Sequence, residues 1–219
     1  MEQVAPQSRS PLRTQVTDLV RAAIVSGQMT PGEVYSAPGL AARFGTSATP
    51  VREALLDLAK DGLVAPVPNK GFRVTRVEPA ELDAMSQVRM LLEPAAITRV
   101  AGLEPDRRRR LVDALRPVAA RILRAAQDGD VLDHLQADRE FHATLLEAAG
   151  NPVLTDIVLR LRDRSRLFGL DALVAAGRLA DSAAEHDRIL DLLLAGDASA
   201  VAGAVASHVG HVRSDWSSH

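Results

Sequence analysis

The chain has 219 residues, 47% of them hydrophobic, with no cysteine and a net charge of −2. That length suits two small domains or one large one, with enough apolar mass for a packed core. The lack of cysteine excludes disulfides, thiolate metal sites and thiol nucleophiles, and no run reaches the roughly 18 apolar residues of a membrane span.

Residues 1–10 lack the apolar stretch of a secretory signal and read as an unstructured lead-in. Helical periodicity predicts a helix over about 11–26, stopped by Gly27, and "MTPGEVY" reads as a turn around Pro31-Gly32. A short helix is expected over about 38–44, ending at Gly45. A third opens at Ser47 or Thr49, tolerates Pro50 in its first turn, turns Leu55, Leu58 and Ala59 inward and ends at Gly62. "LVAPV" and "GFRVTRV" flank "PNKG" as a β-hairpin. From Pro79 on, six helical stretches follow at about 79–101, 105–128, 130–149, 151–168, 178–195 and 197–213. They break at "GLEP", "DGD", "GNP", around "AAGR" and at "AGD". The expected fold is mainly α: a winged helix-turn-helix over 11–77, an all-helical bundle over 78–213 and a short tail over 214–219.

The two halves differ in charge. Residues 1–77 hold 9 Lys and Arg against 6 Asp and Glu, whereas residues 78–219 hold 17 against 22. A basic head on an acidic body suggests that the head meets a polyanion. Three helices and a hairpin are the layout of a winged helix-turn-helix, whose second motif helix enters the major groove by its N-terminal end. That end holds Ser47 and Thr49, suited to phosphates, and Arg52, long enough for a phosphate or a guanine edge. Lys70 and Gly71, at the hairpin tip, are candidates for the DNA backbone or the minor groove. The plain alternative for Arg52 is an ion pair with Glu53 or Asp57 on a solvated face. The stretches "LVRAAIVSGQMTPGE", "LAARFGTSATPVREALLDLAKDGLV" and "KGFRV" resemble the DNA-binding domain of the GntR family of bacterial transcription regulators. The resemblance implies a double-stranded, pseudo-palindromic operator. Ala48 departs from it, because many members carry Arg there, and a base contact made by that Arg would be missing.

In "ADREFHATLLEAAGN", Asp138 and His142 share a helix face with Leu145, Leu146 and Ala149. His186 follows Glu185 in a later helix, and His208 lies in the small-residue helix "ASAVAGAVASHVGHV". Burying several imidazoles without a shared partner is costly, and a divalent metal supplies one. Spacing alone leaves that reading open against ordinary core histidines. "DREFHATLLEAAGNPVL" resembles the central motif of the FCD ligand-binding domain in the FadR branch of the GntR family. The resemblance implies that Asp138, His142, His186 and His208 hold one divalent metal per chain (Zn, Ni, Mn or Fe). Six helices point to the VanR-type subgroup. His134 and His211 each stand one turn from a ligand and become candidates only if the helical phase differs; His219 is expected to be solvated. "QVRMLLEPAAI" resembles the family's first effector-domain helix, which implies that Arg89 faces the ligand cavity, held by Glu93 one turn later; the alternative is a surface ion pair. A metal with an open position beside an arginine fork suits a small organic, sugar or amino acid carboxylate.

"DRRRRL" reads as a solvated face, and one arginine of "RLRDRSR" is in reach of an interior site. HExxH and the paired Glu with Glu-x-x-His of di-iron bundles are absent. The expected function is therefore a cytoplasmic, homodimeric, effector-responsive repressor rather than an enzyme. The alternatives are a metal-dependent helical enzyme and a regulator whose metal is purely structural.

Overall fold

The computed structural model describes residues 12–175 and 177–214, without the side chains at 25, 166–175 and 211–214. The lead-in, His219 and the side chains of Arg166 and His211 thus lie outside the described residues. The chain divides into two compact units, Met1–Arg76 and Val77–His219.

In the first unit, α1 (Leu12–Val25), α2 (Ala37–Phe44) and α3 (Ala48–Lys60) join a sheet of β1 (Val34–Tyr35), β2 (Val64–Val67) and β3 (Gly71–Val74). Val20 and Ile24 of α1, Leu40 of α2, and Val51, Leu55 and Leu58 of α3 form the core together with Phe72 and Val74. Ser36 caps α2 by accepting a 3.2 Å hydrogen bond from the Gly39 amide. Gly45 ends α2 in the left-handed region (φ 64°), so α3 starts three residues later, after Ser47. Both strand pairs are antiparallel, in the order β1-β3-β2.

The strand β1 corrects the expectation of a plain turn over "MTPGEVY". A two-residue strand has no period to detect, and its pairing with Arg73 and Phe72 of β3 defines it. Its approach also explains Gly71. That residue has φ 133°, and a Cβ there would stand 2.2 Å from the Tyr35 carbonyl oxygen. Gly71→Ala is accordingly expected to cost the first unit about 2–3 kcal/mol. Chemical denaturation followed by a probe in this unit checks it, and an unchanged midpoint would contradict the steric argument.

The second unit consists of α4 (Pro79–Ala101), α5 (Pro105–Asp128), α6 (Val131–Ala148), α7 (Pro152–Ala175), α8 (Leu179–Ala195) and α9 (Ala198–Ser214). Three breaks pair a glycine stop with a capping Asp or Asn start. Gly129 ends α5 with φ 72°, and Asp130 then accepts from the Asp133 amide at 3.0 Å. Asn151 accepts from Leu154 at 3.2 Å to open α7, and Asp197 from Ala200 at 2.9 Å to open α9. Helix α7 runs past the expected end near 168, through Gly169 to Ala175. A single mid-helix glycine costs only about 1 kcal/mol, less than the rest of the helix recovers. Phe141, Leu145, Ile122, Leu190 and Val205 belong to one buried cluster, to which α4, α5, α6, α8 and α9 all contribute. Arg108 departs from the solvated-face reading of its run, since it donates to the Ala101 and Leu103 carbonyls at 2.7 and 3.1 Å and so caps the end of α4.

Candidate functional site

In the first unit, Ser47, Thr49, Arg52 and Lys70 are all exposed, three of them in or beside the first turns of α3 and Lys70 at the hairpin tip. Ser47 occupies the N-cap position without a side-chain capping bond. Asp57, one acid expected to tie Arg52 down, is taken by Lys60 at 3.0 Å and by the Arg13 Nε at 2.8 Å. Gly71 has the steric duty described above.

The second unit brings Asp138, His142, His186 and His208 together. All are buried, at most 5% exposed, and one ligand atom from each lies within 4.8 Å of the other three. Helix α6 supplies Asp138 and His142 from one face, α8 supplies His186 and α9 supplies His208. The Nε2 atoms of His142 and His186 are 3.2 Å apart. Asp138 Oδ1 stands 3.3 Å from His186 Nε2 and 3.8 Å from His142 Nε2. Atoms about 2.1 Å from a shared ion stand roughly 3.0 Å apart at right angles and roughly 3.4 Å apart in a tetrahedron. The close pairs therefore fit a metal shell; the widest separation, up to 4.8 Å, exceeds even the roughly 4.2 Å of donors on opposite sides of an ion, so the side chains must draw in to complete it. The donor set, three imidazoles and one carboxylate, suits a borderline divalent ion such as zinc.

The outer nitrogens are anchored. His186 Nδ1 lies 2.9 Å from the Ala183 carbonyl oxygen and His208 Nδ1 lies 2.8 Å from Glu185 Oε2. Each acceptor draws the ring proton to Nδ1 and leaves the Nε2 lone pair for the cluster. Phe141 packs edge-on against His142 and His186, with ring centroids 5.3 and 4.8 Å away. Burial lowers both His142 and His208, the latter to about 4 even though the Glu185 hydrogen bond pulls the other way. Neutral imidazoles are the ligating form. His134, the candidate one turn away, is buried but turned elsewhere, its Nδ1 3.2 Å from the Ile122 carbonyl oxygen.

A chain of buried charges continues from the cluster. Arg162 Nη2 donates to Asp138 Oδ2 at 3.1 Å and Arg162 Nη1 to Glu93 Oε2 at 3.0 Å. Arg89 Nε donates to Glu93 Oε1 at 2.6 Å, and Arg89 Nη1 to the Ser165 hydroxyl at 3.1 Å. Arg89 and Glu93 are thus a buried pair, not a surface one. Burial alone would raise the Glu93 carboxyl, but Arg89 and Arg162 outweigh it and hold its pKa below the usual value. Burial likewise opposes the Arg162 charge, and Glu93 and Asp138 together overcome it. The arginine of "RLRDRSR" that reaches the interior is therefore Arg162. Arginines at 160, 162, 164 and 166 recur every second residue, a spacing that marks no single helical face, so sequence alone could not choose among them.

Residues 12–74 match the family described as "Bacterial regulatory proteins, gntR family", and residues 84–211 match the FCD domain. The chain belongs to the GntR family of transcription regulators. Among similar proteins is an uncharacterized HTH-type transcriptional regulator of Streptomyces ambofaciens, 30% identical over 200 residues that cover 90% of this chain and 81% of that one. The HTH-type transcriptional repressor RspR of Escherichia coli K12 is 28% identical, with 91% and 86% covered. The structure of E. coli McbR/YncC superposes with a TM-score of 0.77 at 25% identity, covering 93% of this chain and 95% of that one. GntR heads bind DNA, and FCD domains typically bind a small-molecule effector. This member is accordingly a DNA-binding regulator and not an enzyme. Among the described residues no helix is long and apolar enough to cross a membrane.

Proposed function

We propose that this GntR-family regulator reads a pseudo-palindromic operator as a cytoplasmic homodimer and is switched by a small carboxylate at a divalent metal. Asp138, His142, His186 and His208 hold the ion, and their convergence in one buried cluster carries the reading. When bound, a divalent ion supplies a Lewis-acidic position for a carboxylate or hydroxyl oxygen. Charge balance favours an anionic effector. The deeply buried charges, Asp138 and Glu93 against Arg89 and Arg162, balance. A divalent ion adds two positive charges, which a carboxylate partly cancels; an uncompensated charge at this depth is expensive. Arg89, with Arg162 behind it, supplies the fork that orients the ligand, which competes with Glu93 for it. The likeness to RspR, named a repressor, supports repression; its relief by the effector is part of the proposal.

Elemental analysis and calorimetry with small carboxylic acids, with and without chelator, test the site. Operator affinity measured alongside tests the switch. Metal at a hundredfold excess over its Kd should stabilise the protein by about 2.7 kcal/mol. Chelation should remove that gain, and His142→Ala should show none. Effector should change operator affinity by roughly 5- to 150-fold. No metal after reconstitution sinks the metal reading, while an effector that binds without moving operator affinity means that the body is not a switch.

For the head, Arg52 at the exposed start of α3 is proposed to touch the operator together with Ser47, Thr49 and Lys70. Arg52→Ala is expected to weaken operator binding by about 1–3 kcal/mol, relaxing specificity if the contact is to a base. Affinities for cognate and scrambled duplexes at one salt concentration decide it. Equal affinities of wild type and variant for the cognate site would remove Arg52 from the interface.

A further inference from the structure

We propose that Glu185 is a positioning residue for the metal centre: by accepting the Nδ1–H of His208 it holds that ring in the one tautomer that can ligate. This rests on the metal reading above. The hydrogen bond is 2.8 Å long and joins α8 to α9, with His208 1% exposed and the Glu185 side chain 25% exposed. A buried neutral imidazole has one proton for two nitrogens. With Nδ1 held by Glu185, Nε2 is the nitrogen left for the cluster; if the proton moved to Nε2, that atom would be a donor, and three ligands would remain. His186 solves the same problem with a backbone carbonyl, which no substitution of its partner's side chain can remove. His208 relies on a side chain instead, and an ionised one. A carboxylate acceptor also makes the imidazole a stronger donor toward a cation, and outer partners of this kind change metal affinity by about 10- to 100-fold.

Glu185 stands where it can do this without being part of the core. It lies on the wall of an open groove between α8 and α9 of about 270 Å³, with Arg188, Leu192, Gly203 and Ser207. A partly solvated carboxylate hydrogen-bonded to a neutral ring adds little to folding. The tautomer of His208, which a merely structural role of Glu185 would not move, separates a defect in the ring from one in packing.

The experiment uses the full chain with Glu185→Ala and Glu185→Gln. Long-range proton–nitrogen NMR on metal-free protein reads the His208 tautomer, and competition with a chromophoric chelator reads Zn²⁺ affinity. In wild type the proton is expected on Nδ1. Glu185→Ala should shift a substantial fraction to Nε2 and weaken Zn²⁺ binding by about 10- to 100-fold. Glu185→Gln keeps an acceptor oxygen, so it should keep the tautomer and lose less than about tenfold; it also serves if the alanine variant fails to fold. A tautomer and a Zn²⁺ affinity unchanged in Glu185→Ala overturn the proposal. If wild type itself takes up no Zn²⁺, the metal reading fails, and so does the proposal's claim on affinity. The tautomer measurement then still decides whether Glu185 orients the ring.

Discussion

Arg162→Met should destabilise the helical unit by about 3–5 kcal/mol, the usual penalty for removing one partner from a buried ion pair. The side chain bridges two acids from different helices, Asp138 of α6 and Glu93 of α4, and all three are buried. Methionine fills most of the volume, so the loss reads as electrostatic and not as a cavity. Glu93 keeps Arg89, but Asp138 loses the Arg162 donor to its Oδ2 atom. Arg162→Lys keeps the charge and not the planar fork, so it should lose one of the two bonds and a smaller part of the stability. A divalent ion beside Asp138 replaces the missing positive charge, and the variant should therefore regain more stability from Zn²⁺ than wild type does. Denaturant unfolding of both proteins, with metal and with chelator, gives all of these numbers. A loss below about 1 kcal/mol would show that the bridge is not a linchpin of the bundle.

Acid should destabilise the metal-stripped protein well before its carboxylates protonate. His208 sits near 4 in the fold, against 6.5 for an exposed histidine, because burial disfavours its charge more than Glu185 supports it. Between those values the unfolded chain binds a proton that the folded chain refuses. The sign follows: stability rises with pH across this window and is lost as pH falls from about 6.5 toward 4. At about 1.4 kcal/mol per unit, His208 alone accounts for about 3 kcal/mol, and His142, lowered by burial and by Arg162, adds in the same direction. Metal-loaded protein should fall more steeply, because protons then also compete for the ligand nitrogens. Unfolding free energies of stripped protein at pH 7.5 and 4.5 check this. Equal values would mean that the imidazoles are already charged, or solvated, in the fold.

Helix boundaries were most legible where a break is written in two residues with opposite preferences, a glycine to stop and an Asp or Asn to start, as at Gly129-Asp130, Gly150-Asn151 and Gly196-Asp197. The β1 strand was not legible: its two residues are strand only by virtue of the β3 edge beside them. The extension of α7 was hidden by Gly169, a local cost that the rest of the helix absorbs. In the site, Asp138 and His142 share a face by simple periodicity. That His186 and His208 join them depends on how α8 and α9 pack, which no spacing encodes; family resemblance supplied that expectation. Glu93 was found beside Arg89 by i,i+4 logic, whereas Arg162 needed the packed structure. The role of Glu185 had no separate signal, because a carboxylate next to a histidine in sequence ordinarily points away from it; here it reaches the histidine of the next helix.

The distribution of the four proposed ligands along the chain has a consequence for the order of events in folding. Asp138 and His142 are four residues apart, but 44 residues separate His142 from His186, and a further 22 separate His186 from His208. A site made of distant segments requires loops to close before its parts meet, and that entropy must be met by the packing of α6, α8 and α9 rather than by the ion. Such a centre cannot act as a folding nucleus in the way a local zinc loop does. An ion held there, as proposed, would enter a bundle that already exists, so the stability it adds would fall on the unfolding step. Metal supply would then set how long the folded regulator lasts and leave the rate at which new chains fold untouched.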